Sequence, residues 1–410
     1  MVRKVLLLAI CTVCILGAQL HPVVANSTGQ ERELVAVIEP PPAGKGWATP
    51  HLRDDMLVIT SGDDAHLACY GLDELAMRWT LDAASVETGF EFGGFGNMHY
   101  SVVENGQYLF CSTYLGGQAV VVDRMTGEVI TAKEIPVTRN ALAVAGGTGE
   151  LLVTTSWEEL IIYDAQLEEL YRTELPGQPN GIDYDCATGE LYACVAKPPL
   201  ICRYSLGGLV EKGVSVVSLE KKQAGPNPFA CCIAGDSIAI SCWGDSTIRI
   251  HDQGTLVELA AYPALPEVGF IEYFDGCLYA ASSKQAKDEY GTPGALIRID
   301  PATGDTLRRD LTDLNNVIML EPYVVPGTLY CQDFGDMYLR NDAEELGLPF
   351  AYFLNSRVAV IDPVTLQTQY LLEYPDGLYG TTCCMERGLV VDVECGSAEL
   401  KVYRISTGME

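Results

Sequence analysis

Residues 180–204 read NGIDYDCATGELYACVAKPPLICRY. The stretch divides into an apolar strand at 181–184, a turn at 185–189, a second strand at 191–195, a polar break, and a third strand at 200–204. Apolar runs this short, bounded by Asp, Gly and Pro, mark strands rather than helices. The same order recurs along the chain. Second strands fall at 57–60, 108–112, 151–155, 191–195, 238–242, 278–281, 329–332 and 389–393. Each is followed by a third strand, and several of these end in Asp and a turn: Asp123 to Gly127 (DRMTG), Asp300 to Gly304 (DPATG), Asp362 to Thr365 (DPVT). Asp and Gly suit such turns for local reasons. A fourth strand comes next, as at 128–135 and 306–310.

A repeated unit of four short strands implies an all-β fold, a single β-propeller. Eight repeats spread over residues 47–410 give about 45 residues each, an ordinary blade length. The eighth repeat ends near Tyr403, too close to the C-terminus for a fourth strand. An orphan apolar run, ELVAVIE at 33–39, stands before three prolines in the segment 26–46. It is expected to supply the missing strand and close the ring, which removes the exposed edges of an open array. Seven blades with one degenerate repeat is the alternative.

Residues 1–25 read as a secretory signal peptide. Arg3 and Lys4 precede an uncharged apolar run, and Val23-Val24-Ala25 is a small-residue cleavage site. The expected location is secreted or extracytoplasmic, with the mature chain starting near Asn26. No later stretch is long and apolar enough for a membrane span. The net charge of −29 repels nucleic acid and anionic membranes. Of fifteen cysteines, Cys11 and Cys14 lie in the apolar leader, and an odd number remains. Most of the others sit inside strand patterns, where Cys acts as a small buried apolar residue. The adjacent pairs Cys231-Cys232 and Cys383-Cys384 point to opposite faces if they lie in strands, which favours unlinked thiols over strained vicinal disulfides.

The Asp-x-x-Thr-Gly turns, the apolar strands before them and the Pro179-Asn180-Gly181 approach resemble YVTN-type, quinoprotein-type and WD40-like propeller repeats. The resemblance covers residues 47–410 and implies the fold. That architecture hosts hydrolases, lyases, dehydrogenases and binding scaffolds. Glu128 and Asp305 follow Gly127 and Gly304, where a quinoprotein dehydrogenase repeat usually carries Trp. The chain also has no Cys-x-x-Cys-His haem site.

In a repeat protein, equivalent positions form rings. Eleven residues before the starts of five second strands stand Asn97, Asn140, Asn180, Asn227 and Glu267. These positions fall where the innermost strands begin, around one mouth of the central channel. Their oxygens suit a hard cation such as calcium, with Asn180, Asn227 and Glu267 as ligands, or a small polar ligand. Local Asx turns explain them equally well. Five or six residues after the strand starts stand Tyr114, Trp157 and Trp243. Aromatic side chains there would form a ligand platform or wedge between blades. Three long loops, at 84–98, 282–294 and 333–356, map to the same face, and long loops in compact domains are commonly functional. The five histidines are scattered, and no Gly-x-Ser-x-Gly elbow is present. The sequence therefore points to an exported propeller that binds a small molecule, glycan or protein on its loop-rich face. A metal-dependent lactonase or hydrolase is the alternative.

Overall fold

The computed structural model describes residues 32–39, 47–53, 55–61, 65–91, 102–113, 117–146, 149–206, 217–264, 268–282, 294–311, 320–325, 328–333, 336–337, 353–375, 377–384, 387–394 and 399–405. Among them are eight four-stranded antiparallel sheets and one two-stranded hairpin. Each sheet is one blade, so the described residues form eight blades rather than seven; the strands of blade 1 lie within residues 47–82, of blade 2 within 102–134, of blade 3 within 140–174, of blade 6 within 268–311 and of blade 7 within 320–374. Blade 4 comprises Pro179–Asp185, Glu190–Val195, Leu200–Ser205 and Val217–Gln223; blade 5 comprises Pro228–Ala234, Ser237–Cys242, Thr247–Asp252 and Glu258–Pro263. Their first strands touch one another, and such contacts run from blade 2 round to blade 8 and on to blade 1. The first strands therefore surround the axis.

Blade 8 joins the two ends of the chain. Leu378–Cys384, Leu389–Glu394 and Leu400–Ile405 form three strands, and Arg32–Ile38 adds the fourth. The expected pairing is present, one residue earlier than the run 33–39: Arg32 lies opposite Ile405 and Ile38 opposite Leu400. Ile38 is buried against Leu400 and Val402 of its own blade and Leu57 and Ile59 of blade 1.

The core is divided among the blade interfaces. Side chains alternate across each sheet, so Val120 and Val122 face blade 1 while Val121 faces blade 3. Eight apolar layers result among the described residues, one for every adjacent pair of blades, including blades 8 and 1. Each repeat buries itself only against its neighbours, as in other repeat architectures.

The turns between third and fourth strands share one chemistry. The Asp123 carboxylate accepts from the backbone N–H groups of Met125 and Thr126 at 3.0 and 2.9 Å. Asp300 and Asp362 repeat the arrangement. The Thr126 and Thr365 hydroxyls add a further hydrogen bond to Asp123 and Asp362. The fifth turn residue has positive φ. It is Gly at Gly127 and Gly304, but Leu at Leu256 and Leu366. Those leucines are buried, so interblade packing holds a backbone conformation that leucine otherwise avoids. At Gly127 a Cβ would stand 2.7 Å from the Trp79 ring. Trp79 of blade 1 fills that space and donates its indole N–H to the Arg124 carbonyl at 2.9 Å.

Candidate functional site

The loops between second and third strands leave from the end of the blade where the first strand begins. Backbone hydrogen bonds fix this in three successive blades. Arg139 donates to Thr155 at 2.8 Å, Ala196 to Gln178 at 3.0 Å, and Trp243 to Asn227 at 3.0 Å. Asn140, Asn180, Asn227, Trp157 and Trp243 therefore lie at one mouth. Asn97, Tyr114 and Glu267 lie outside the described residues. The insertions at 282–294 and 333–356 leave from the same end, because Ser282 pairs with Val268 and Asp333 with Leu320. Most of their length also lies outside the described residues; the strands Asp336–Met337 and Phe353–Leu354 form a hairpin within the second.

The asparagines do not share one level. Leu191 pairs with Tyr184, seven positions back, whereas Ile238 pairs with Ile233, only five back. The hairpin of blade 5 is thus two residues shorter, and a fixed sequence offset overshoots it. Asn140 and Asn180 are equivalent, four residues before the paired positions Val144 and Tyr184. Asn227 precedes its strand, with φ of 50°. Asn140 donates to the Thr155 hydroxyl at 2.9 Å within its own blade. Asn180 instead reaches across to blade 5 and donates to the Pro228 carbonyl at 2.8 Å.

A register shift between Pro179 and Gly181 re-aims Asn180, and one between Pro228 and Ala230 does the same for Phe229. Phe229 is the true counterpart of Asn180. Its ring stacks on Trp243, with centroids 4.5 Å apart and planes 5° from parallel, and meets Phe270 of blade 6 edge-on at 5.6 Å. The Trp243 indole N–H is buried with no acceptor among the described residues. Trp157 behaves differently. It is 51% exposed, and the Arg139 guanidinium lies 4.6 Å over its ring. The Gln178 side-chain amide lies beside Arg139; with its oxygen assigned to that side, the choice that satisfies both groups, it accepts from Nη1 at 2.5 Å and Nη2 at 3.0 Å. Trp243 is therefore half of an interblade wedge, whereas Trp157 is a held and open surface.

Below the mouth, Asp183 accepts from the Ile233 N–H at 2.8 Å, a second link from blade 4 to blade 5. Burial pushes its carboxyl above the usual range, partly offset by the Ile233 and Tyr184 N–H groups. Cys231 and Cys232 are unlinked thiols on one strand. Cys231 packs in the layer shared with blade 4 and Cys232 in that shared with blade 6. Sequence reasoning missed Phe229, Phe270, Arg139 and Gln178. Aligning blades by strand pairing rather than by offset would have found Phe229.

No helix among the described residues is long and apolar enough to cross a membrane. No group of three or more His, Cys, Asp or Glu side chains suited to a metal ion occurs among them. No protein-family model matches the chain, and no curated protein matches it in sequence. Solved structures do match in shape. A computationally designed protein, Ika8, superposes with a TM-score of 0.63 at 11% identity, covering 91% of this chain and 99% of its own. BamB from Moraxella catarrhalis gives 0.57 at 10% identity, covering 91% and 99%. A europium-containing methanol dehydrogenase gives 0.57 at 11% identity, covering 91% and 93%. At such identities the likeness concerns architecture alone, and the chain has a quinoprotein-like β-propeller fold.

Proposed function

We propose that this protein is an exported, non-enzymatic propeller that binds a small molecule, glycan or protein at the loop-bearing mouth. The observation that carries the reading is Trp157: a half-exposed indole held flat by Arg139, which Gln178 holds in turn. An exposed aromatic with a fixed ring loses little freedom when a ligand stacks on it. Trp243, Phe229, Asn180 and Asn227 line the adjoining blades, and Asn97, Asn140, Tyr114 and Glu267 complete the candidate set. Export rests on the leader at 1–25, and mass spectrometry of the secreted chain should find it starting near Asn26.

Intrinsic tryptophan fluorescence against panels of soluble oligosaccharides and peptides tests the site. Ligands that shift the wild-type emission should bind Trp157→Ala about 1–3 kcal/mol more weakly, on the scale of lost apolar burial. The melting temperature should not change. Undiminished affinity in Trp157→Ala would sink the proposal. No comparable observation favours the metal-dependent hydrolase, since Asn227 lies at a different level from Asn180. Stoichiometric calcium in protein purified without chelator would reverse that preference.

A further inference from the structure

The layer between blades 4 and 5 brings three thiols together, those of Cys194, Cys231 and Cys242. Cys194 stands on the second strand of blade 4, opposite Gly181, with its sulfur 3.6 Å from the Gly181 carbonyl oxygen. Cys231 stands on the first strand of blade 5 and faces blade 4. Gly181 lets the first strands of blades 4 and 5 approach closely. A Cβ built there would stand 3.3 Å from the Ala230 Cα and 3.4 Å from the Cys231 nitrogen, so the two backbones come into direct contact at this point. On either side of that contact Cys194 and Cys231 turn their side chains into the same interblade layer. Cys242 is committed elsewhere, donating to the Ala224 carbonyl at 3.1 Å.

We propose that Cys194 and Cys231 are a disulfide-forming pair that staples blade 4 to blade 5 beneath the mouth. Two S–H bonds break and one S–S bond forms. The S–S bond of a disulfide-class oxidant, such as oxidised glutathione, breaks in exchange, and its two sulfurs take up the two electrons and the two protons as thiols. The exchange passes through a mixed disulfide at Cys231, which is half-buried, and the fully buried Cys194 resolves it. The Cys194 contact, and then burial, raise the Cys231 thiol well above its ordinary range. Oxidation of the closed ring is therefore slow, and so is reduction of the finished bond. Asn180 and Phe229 directly precede Gly181 and Ala230. The staple thus fixes the spacing of two mouth residues from one position below.

The test uses the full chain incubated with oxidised glutathione, followed by alkylation of remaining thiols and peptide mapping without reductant. The expected product is one dominant Cys194–Cys231 link with the melting temperature raised by about 4 °C, from the loop closed and the size of the chain. Dithiothreitol should reverse both effects. The link and the shift should vanish in Cys194→Ser and Cys231→Ser and persist in Cys242→Ser. Mapping of the wild-type chain decides the matter even if a variant fails to fold. Linkage through Cys242 or Cys232, glutathione retained on single cysteines, or no link at all would overturn the proposal.

Discussion

Blades 4 and 5 meet over apolar side chains and thiols, whereas blades 7 and 8 meet around a buried charge. Arg32, the first residue of the closing strand, lies 2.5 Å from Asp392 through Nη2. It also donates to the Tyr374 hydroxyl at 2.8 Å, and that hydroxyl donates to Asp392 at 2.7 Å. The Tyr403 ring lies 4.0 Å below the guanidinium. Burial opposes the charge on Arg32, and Asp392 with the Tyr374 and Tyr330 hydroxyls more than offsets it. The two interfaces differ in how their strands arrive. Blades 4 and 5 are consecutive in the chain, so a short connection limits the ways they can dock. The closing strand comes from the far end of the chain and must find its register unaided. A slip of one residue would turn every side chain to the opposite face. Arg32 has a partner in only one register, the role for which buried ionic groups are best attested.

The largest expected effect breaks this distinction. Asp392→Ala leaves Arg32 buried without its counter-charge and should cost about 3–5 kcal/mol. Urea denaturation reads it, and a loss below about 1 kcal/mol would mean that the charge is not what holds the closing strand. The double replacement Arg32→Met with Asp392→Leu should recover most of that stability. At the other interface, Gly181→Val pushes a side chain into the backbone of blade 5. It should cost about 1–3 kcal/mol as overpacking, with the closing strand unaffected in hydrogen exchange. Protection lost at Arg32–Ile38 in that variant would show that the interfaces are not independent.

The smallest effect is a pH dependence confined to the blade 4 side of blade 5. His251 is buried, and its Nδ1 meets the Leu256 carbonyl at 3.0 Å. Burial lowers its pKa. An unfolded histidine takes up its proton near pH 6.5, while the folded one resists until lower pH. Between those values the unfolded chain binds more protons, so stability falls as pH falls from about 6.5. His251→Gln should flatten that slope in urea titrations between about pH 7 and 5. An identical slope in the variant would assign the effect to other groups.

The blade repeat was legible because strand alternation and turn chemistry are local. Asp123, Asp300 and Asp362 announce their turns within a few residues, and the run 33–39 stood out as a strand with no neighbour in sequence. The site was less legible. The offset that gathered Asn180 and Asn227 assumes hairpins of constant length, and the turn at Gly235-Asp236 shortens one by two residues. The register shifts that present Phe229 and Asn180 to the mouth leave no mark in composition. Arg139 and Gln178 gain meaning only from Trp157, which lies on another strand connection. Leu256 and Leu366 show the converse: their turns depart from the Gly pattern because packing between blades, invisible in one repeat, decides the residue.

The closing ladder also sets how the ring responds to tension. Arg32 is paired with Ile405 and Ile38 with Leu400, so both chain ends leave blade 8 from the same end of an antiparallel ladder. A load applied through the termini therefore falls on one rung at a time, beginning at Arg32, rather than on all rungs together. Pulling would unzip the ring at the seam where it was sealed, and the ion pair of the first rung is the bolt that must yield before the rest can follow.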